Sequence, residues 1–281
     1  MKTIYLILTL ILTGGHASAQ TPPTKTAKPF ILGYVEELHS TILKEKRMLN
    51  IYLPEGYSKD DTARYPVIYL LDGAADEDFI HIVGLIQFNN FSWIDKVPKS
   101  IVVGIANTDR KRDFTFPTTS TADKKMLPTT GGSAAFMDFI EKELQPFISR
   151  NYKTGTGKTI IGQSLGGLLA TEILLKRPTL FDKYIIVSPS IWWDNGSLLQ
   201  LDSPVLKEGF NQNTAVYIGV GKEGLSPGEQ ARVMEVDANL LAEKLQSAKS
   251  KNVRVHFDYL PGENHATAIH QAVFNALRLV Y

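Results

Sequence analysis

Apolar residues fall along this chain in two rhythms. Short unbroken runs appear at Pro66-Val67-Ile68-Tyr69-Leu70-Leu71, at Ile101-Val102-Val103-Gly104-Ile105, at Tyr184 to Val187 and at Val216 to Val220. Such runs, rich in β-branched side chains, suit strands buried on both faces. Elsewhere apolar positions return every three or four residues. Between Gly131 and Tyr152 the residues Phe136, Phe139, Ile140, Leu144, Phe147 and Ile148 keep a helical period with polar residues between them, which predicts an amphipathic helix. Further helices are predicted around Ile80 to Phe88, Leu168 to Lys176, Ala231 to Ala248 and Ala266 to Leu279. Phe30 to Ser40 and Leu43 to Leu53 read as two opening strands, the second closed by the Pro54-Glu55-Gly56 turn, and Val253 to Leu260 reads as the last strand. Strands alternating with helices predict an α/β fold: a mostly parallel central sheet, helices on both faces, and an N-terminal antiparallel hairpin.

One junction in this pattern carries chemistry. Thr159-Ile160-Ile161 leads as a strand into Gly162-Gln163-Ser164-Leu165-Gly166, and the helix-forming run from Leu168 leads out. Strand, sharp turn, helix is the context a nucleophile elbow needs. Side chains two positions either side of the serine would clash in so tight a turn, which is a steric reason for Gly162 and Gly166. Gly167 lets the helix pack close to the sheet.

A serine hydroxyl is a weak nucleophile until a base takes its proton, and imidazole is the usual base near neutral pH. In elbow folds the base follows the nucleophile in the chain. His39 and His81 precede Ser164, His256 falls inside the last strand and His270 inside the closing helix. His265 alone sits in a loop after the final strand, in Pro261-Gly262-Glu263-Asn264-His265. A carboxylate orienting that imidazole should follow the strand Val216 to Val220. Glu223 is nearest the strand end; Glu229 and Asp237 are its rivals. Two amides are expected to face a developing oxyanion: that of Leu165, and that of Ala74 in the Asp72-Gly73-Ala74 loop after the third strand.

Other features narrow the setting. Lys2, the apolar run Ile4 to Leu12 and Ala17-Ser18-Ala19 describe a cleaved export signal over residues 1–19. Residues 20–28, rich in Thr, Pro and Lys, read as a flexible lead-in, leaving 29–281 as one large α/β domain. An exported protein, periplasmic or extracellular, is expected, with no stable membrane anchor because the apolar run is too short to span. The chain has no cysteine, so it forms no disulfides and carries no lipoprotein attachment. With 30 Lys and Arg against 29 Asp and Glu, and no basic block, nucleic acid is not an expected partner. Gly155-Thr156-Gly157-Lys158-Thr159 echoes the end of a phosphate-binding loop. Position 152 is Tyr instead of Gly and the strand is expected after the motif, so a nucleotide site is excluded.

Taken together, four stretches resemble the esterase D / enterochelin-esterase-like branch of the α/β-hydrolases, and the likeness covers nearly all of the mature chain. They are Tyr65 to Gly73, Val103 to Arg110 with Arg112-Asp113, Gly162 to Gly167, and Ser188-Pro189-Ser190-Ile191-Trp192-Trp193-Asp194. The resemblance implies the α/β-hydrolase fold and a serine hydrolase acting on a small-molecule carboxylic ester without cofactor or metal. In related mycolyltransferases the residue after the Leu-Asp-Gly turn supplies an oxyanion amide, which supports Ala74. The acid is the family's least regular feature, and some siderophore esterases work with Ser and His alone. Members cleave siderophore trilactones, S-formylglutathione, feruloyl or acetyl sugar esters and small synthetic esters; export disfavours S-formylglutathione here. Asp72, Gly73, Asn107, Arg110, Trp192 and Trp193 are expected to line the substrate pocket, where an arginine suits an anionic or catecholate-bearing substrate. For the tryptophans, packing in the core is the competing reading. Competing functions are an acyltransferase sharing the acyl-enzyme, and a binding module on an inactive hydrolase scaffold.

Overall fold

Eight strands make one sheet: β1 (Tyr34–Ser40), β2 (Glu45–Tyr52), β3 (Tyr65–Leu70), β4 (Ile101–Ile105), β5 (Thr154–Gln163), β6 (Lys183–Val187), β7 (Thr214–Gly221) and β8 (Val253–Leu260). Their order is β1-β2-β4-β3-β5-β6-β7-β8. β2 pairs antiparallel with both β1 and β4, and every later pairing is parallel. The computed structural model describes Thr24 and residues 26–60, 62–228 and 230–281. Leu32–Tyr281 is one compact unit. The expected export signal lies outside the described residues.

Alternation along the buried strands sorts their side chains into two layers, as a pleat of period two must. Val67 and Tyr69 join one core cluster while Ile68 and Leu70 join the other. Ile160, Tyr184, Ile186, Val216 and Ile218 fall on the first side; Ile161, Ile185, Val187, Ala215 and Tyr217 fall on the second. The second side is covered by α1 (Phe79–Asn89) and by a closing helix, Ala268–Ala276. Each aliphatic or aromatic side chain fully removed from water contributes roughly 1.5–3 kcal/mol, so this two-faced burial is the main source of stability in a chain without disulfides.

Two short helices with no predicted counterpart follow β4. α2 (Arg110–Phe114) is capped by Asp109, whose carboxylate accepts the Arg112 amide, and α3 (Thr121–Met126) by Ser120, whose hydroxyl accepts the Asp123 amide. The long helix predicted before Tyr152 is present in three pieces: α4 (Ser133–Phe139), a π-helical turn (Ile140–Leu144) and α5 (Gln145–Asn151). Pro146 has no N–H to give to the preceding turn, and the ladder widens there. The elbow helix α6 spans Leu165–Lys176, starting at Leu165 instead of Leu168, and it is buried from Leu165 to Leu175. α7 (Met234–Gln246) and α8 (Ala268–Ala276) are each shorter than the periodicity suggested.

One expectation is corrected here. Gly155 to Thr159 does not precede the elbow strand but lies within it, because β5 starts at Thr154. The register with β3 steps from Tyr65↔Thr154 to Val67↔Lys158, so the glycine-containing stretch forms a bulge at the edge of the ladder.

Candidate active site

The carboxyl ends of the parallel strands bring the predicted site residues together, where open α/β sheets place their sites. Ser164 follows β5 directly and holds φ 58, ψ −118, a positive φ that a non-glycine residue adopts only under constraint. The constraint is visible. The Ser164 amide donates to the Val187 carbonyl at 3.0 Å, and the Ser164 carbonyl accepts from Leu168 at 2.9 Å and from Ser190 at 3.1 Å. A Cβ on Gly162 would stand 2.5 Å from the Gly166 carbonyl oxygen, and one on Gly167 would stand 2.9 Å from that of Val187. The elbow therefore closes only with glycine at both positions. At Gly166 the nearest atom to such a Cβ is an Asp72 oxygen at 3.3 Å, a milder restriction than the sequence suggested.

His265 Nε2 lies 3.1 Å from the Ser164 hydroxyl oxygen, and His265 Nδ1 lies 2.7 Å from Glu223 Oε2. The imidazole is 44% exposed, open to an incoming ligand, whereas the Glu223 side chain is 1% exposed. The loops carrying them are bound to each other: the Lys222 amide donates to the Glu263 carbonyl at 2.7 Å. The Gln163 side-chain amide donates to the His265 carbonyl, fixing the histidine loop to the elbow. Glu235 at the start of α7 accepts the Glu223 amide at 2.7 Å and the Gly224 amide at 2.9 Å, which anchors the glutamate loop.

Of the rival acids, Asp237 is held by Arg232 through two hydrogen bonds of 2.6 and 2.8 Å, and Glu229 lies outside the described residues. His81 sits away from the serine, within 3.0 Å of Asp78 and 3.3 Å of His270.

The Leu165 amide opens α6, and the first amides of a helix have no acceptor within it. The Ala74 amide donates over 3.4 Å to Glu77 Oε2, a long contact. Gly73 is packed into the sheet, its amide donating to the Ile105 carbonyl at 3.0 Å and its carbonyl accepting from Asn50 at 2.8 Å.

The residues expected to line a pocket divide. Arg110 grips Asp72 at two points, Nε to Oδ1 at 2.6 Å and Nη2 to Oδ2 at 2.9 Å, and Nη2 also donates to the Gln163 carbonyl at 3.2 Å. Asn107 donates to Asp72 at 2.7 Å. Burial works against the Arg110 charge, but Asp72, with Glu77 and Asp78 nearby, outweighs it and raises the guanidinium pKa. Arg110 thus braces the Asp72 turn against the elbow, and its charge is already paired. Trp193 corrects its expectation outright: it is 0% exposed and its indole N–H donates to the Phe116 carbonyl at 2.9 Å, so it is core. Trp192 is also buried, at 6%, with its ring 3.6 Å from the position a Cβ on Gly228 would take.

Comparison with known proteins now identifies the scaffold. A family model described as "Putative esterase" matches residues 40–278. The chain belongs to this esterase family. Ferri-bacillibactin esterase BesA of Bacillus subtilis (strain 168) is 30% identical to the esterase over 266 residues, covering 90% of this chain and 91% of the relative. Among solved structures, an IroE-like serine hydrolase from Shewanella oneidensis matches with a TM-score of 0.76 and 33% identity over 88% of this chain and 79% of that one. A BES protein from Bacillus cereus matches with a TM-score of 0.78 and 29% identity over 93% and 99%. The esterase therefore has the α/β-hydrolase fold and is a carboxylic-ester hydrolase of the serine type. Among the described residues, no helix is long and apolar enough to cross a membrane.

Two groups beside the site of the esterase escaped the sequence reading. Ser190 Oγ lies 3.4 Å from Ser164 Oγ, and the Ser188 hydroxyl bonds the Glu223 carboxylate. A serine in a Pro-containing turn carries no local mark of such a contact. The signals available were the position of Ser188, just past the carboxyl end of a buried strand, and the place of both serines in the family-like stretch Ser188 to Asp194.

Proposed function

We propose that this protein is an exported esterase that hydrolyses its substrate through an acyl-enzyme on Ser164, with His265 as general base and Glu223 as the carboxylate that orients it. The observation that carries this reading is the continuous relay Ser164 Oγ, His265 Nε2, His265 Nδ1, Glu223 Oε2, with separations of 3.1 and 2.7 Å. As Ser164 Oγ attacks the ester carbonyl carbon, its proton passes to His265 Nε2. The imidazolium is stabilised by Glu223, which stays ionised. Negative charge gathers on the former carbonyl oxygen. The Leu165 amide faces it, joined by the Ala74 amide once that leaves its long contact with Glu77. Collapse expels the alkoxide, which takes the proton from Nε2. Water then repeats the sequence against the acyl-enzyme and restores Ser164.

The substrate class we assign is a siderophore ester. Support comes from the near full-length relative named for ferri-bacillibactin and from the residues 1–19 that read as an export signal. The test is a side-by-side assay of bacillibactin, ferric and iron-free, p-nitrophenyl esters of increasing chain length, and feruloylated or acetylated xylan. Trilactone cleavage with the highest kcat/KM is the expected result. Efficient release of ferulate or acetate with the trilactone untouched overturns the substrate assignment and leaves the esterase mechanism in place.

A further inference from the structure

The turn after β6 touches both ends of the relay. Val187 accepts the Ser164 amide and Ser190 donates to the Ser164 carbonyl, while Ser188, between them, reaches the other way to Glu223. A carboxylate has only acceptors to offer, so the Ser188 hydroxyl donates to Glu223 Oε1. The Gly221 amide approaches the same oxygen at 3.3 Å, and Oε2 is left to His265 at 2.7 Å. The two oxygens are thereby assigned to different partners, and rotation of the carboxylate would lose the bonds on both.

The backbone gives a second, independent indication. Ser188 is 0% exposed and holds φ 43, a positive value in a residue that is not glycine. Its amide donates to the Gly219 carbonyl at 2.7 Å, which continues the link between the sixth and seventh strands beyond the end of the sixth. Pro189 next to it disfavours the ordinary helical conformation at position 188. Strain of this kind persists where the surroundings over-determine it, and here it aims the hydroxyl at the glutamate.

We propose that Ser188 is a positioning residue of the ester-hydrolysis reaction: its hydroxyl locks the Glu223 carboxylate in the rotation that presents Oε2 to His265. The proposal rests on the role assigned to Glu223 above. Its loss should lower kcat about 10- to 100-fold, because the freed carboxylate then spends only part of its time in the rotation that presents Oε2 to His265. KM should hardly change, because Ser188 is buried and touches no substrate.

The experiment compares Ser188→Ala and Ser188→Gly with wild type on a p-nitrophenyl ester, with denaturant unfolding of each, and repeats Ser188→Ala in a Glu223→Gln background. Both single variants should lose kcat alike. Ser188→Gly relieves the positive φ and should be at least as stable as Ser188→Ala, which separates the hydroxyl from the strain. In the Glu223→Gln background the added loss should shrink to less than threefold, since there is no carboxylate left to orient. An undiminished loss in that background, or full kcat in both single variants, overturns the proposal. If His265→Ala or Ser164→Ala keeps its activity, the reading of the site fails instead, and the two failures are told apart.

Discussion

Arg232 holds Asp237 by two parallel hydrogen bonds, Nη2 to Oδ1 at 2.6 Å and Nε to Oδ2 at 2.8 Å, with the aspartate 4% exposed. The pair locks the entry to α7 and leaves Asp237 no part in the relay. Glu223→Gln should therefore lower kcat about 10²- to 10⁴-fold with little change in KM, as loss of an orienting carboxylate does. Asp237→Asn should keep kcat and lose about 1–3 kcal/mol of stability, because it strips a mostly buried guanidinium of its partner. Steady-state kinetics with urea unfolding of both variants checks the pair of outcomes; the reverse pattern would move the acid to Asp237.

The nucleophile is tested by labelling. Ser164→Ala removes one oxygen and leaves Gly162 and Gly167 to close the turn, so it should fold normally and hydrolyse nothing above background. A fluorophosphonate probe should modify wild type at Ser164 alone. Modification of the alanine variant, or of Ser190, would place the reactive hydroxyl elsewhere. His265→Ala should lower kcat by orders of magnitude while His256→Ala and His270→Ala stay active, because among the described histidines only His265 lies within hydrogen-bonding distance of the serine.

What could be read from the sequence divides by range. The buried strands and the helices before and after Ser164 are periodic over many residues, and local pattern reports them directly. That Ser164, His265 and Glu223 would meet was legible because each follows the carboxyl end of a strand, and strand ends follow from the same pattern. α2 and α3 were not, because five or six residues do not complete a helical period that stands out from a loop. Trp193 and Arg110 show the other limit. A tryptophan that packs and one that lines a pocket have the same neighbours in sequence, and the pairing of Arg110 with Asp72 spans 38 positions.

Acid should unfold the protein through particular carboxylates. Burial would raise the pKa of Glu143, but the hydroxyls of Ser40 and Thr41 and the amides of Ile42 and Thr41 outweigh it and lower it below the usual glutamate value. Asp194 is likewise lowered: burial opposes, while the Thr119 amide and the hydroxyls of Ser197, Thr118 and Thr119 prevail. A depressed folded-state value means stability that is complete above the unfolded-state pKa and is lost as pH falls through the folded-state one. Tm should thus hold near neutrality and fall below about pH 4.5. Glu143→Gln should lower the plateau and flatten that acid limb. A Tm profile of the variant parallel to wild type down to the lowest pH would show that this carboxylate takes no part.

Two glycine-to-alanine changes should have opposite signs. Gly84 lies in α1 with nothing within 4 Å of the position its Cβ would take. Gly84→Ala should therefore raise stability by about 0.5–1 kcal/mol, since alanine is the better helix former and restricts the unfolded chain. Gly167, in α6, has the opposite surroundings: a Cβ there would stand 2.9 Å from the Val187 carbonyl oxygen and 3.0 Å from Pro189 Cα. Those are backbone atoms of the turn that accepts the Ser164 amide and carries Ser188, and they cannot rotate aside as a side chain would. Overpacking of this kind destabilises by roughly 1–3 kcal/mol. The displacement also falls on the elbow, so activity should drop by more than the unfolded fraction explains. Measuring kcat at a temperature where both variants are fully folded separates the two effects. A Gly167→Ala enzyme with unchanged kcat there would mean the turn after β6 can shift without disturbing the serine.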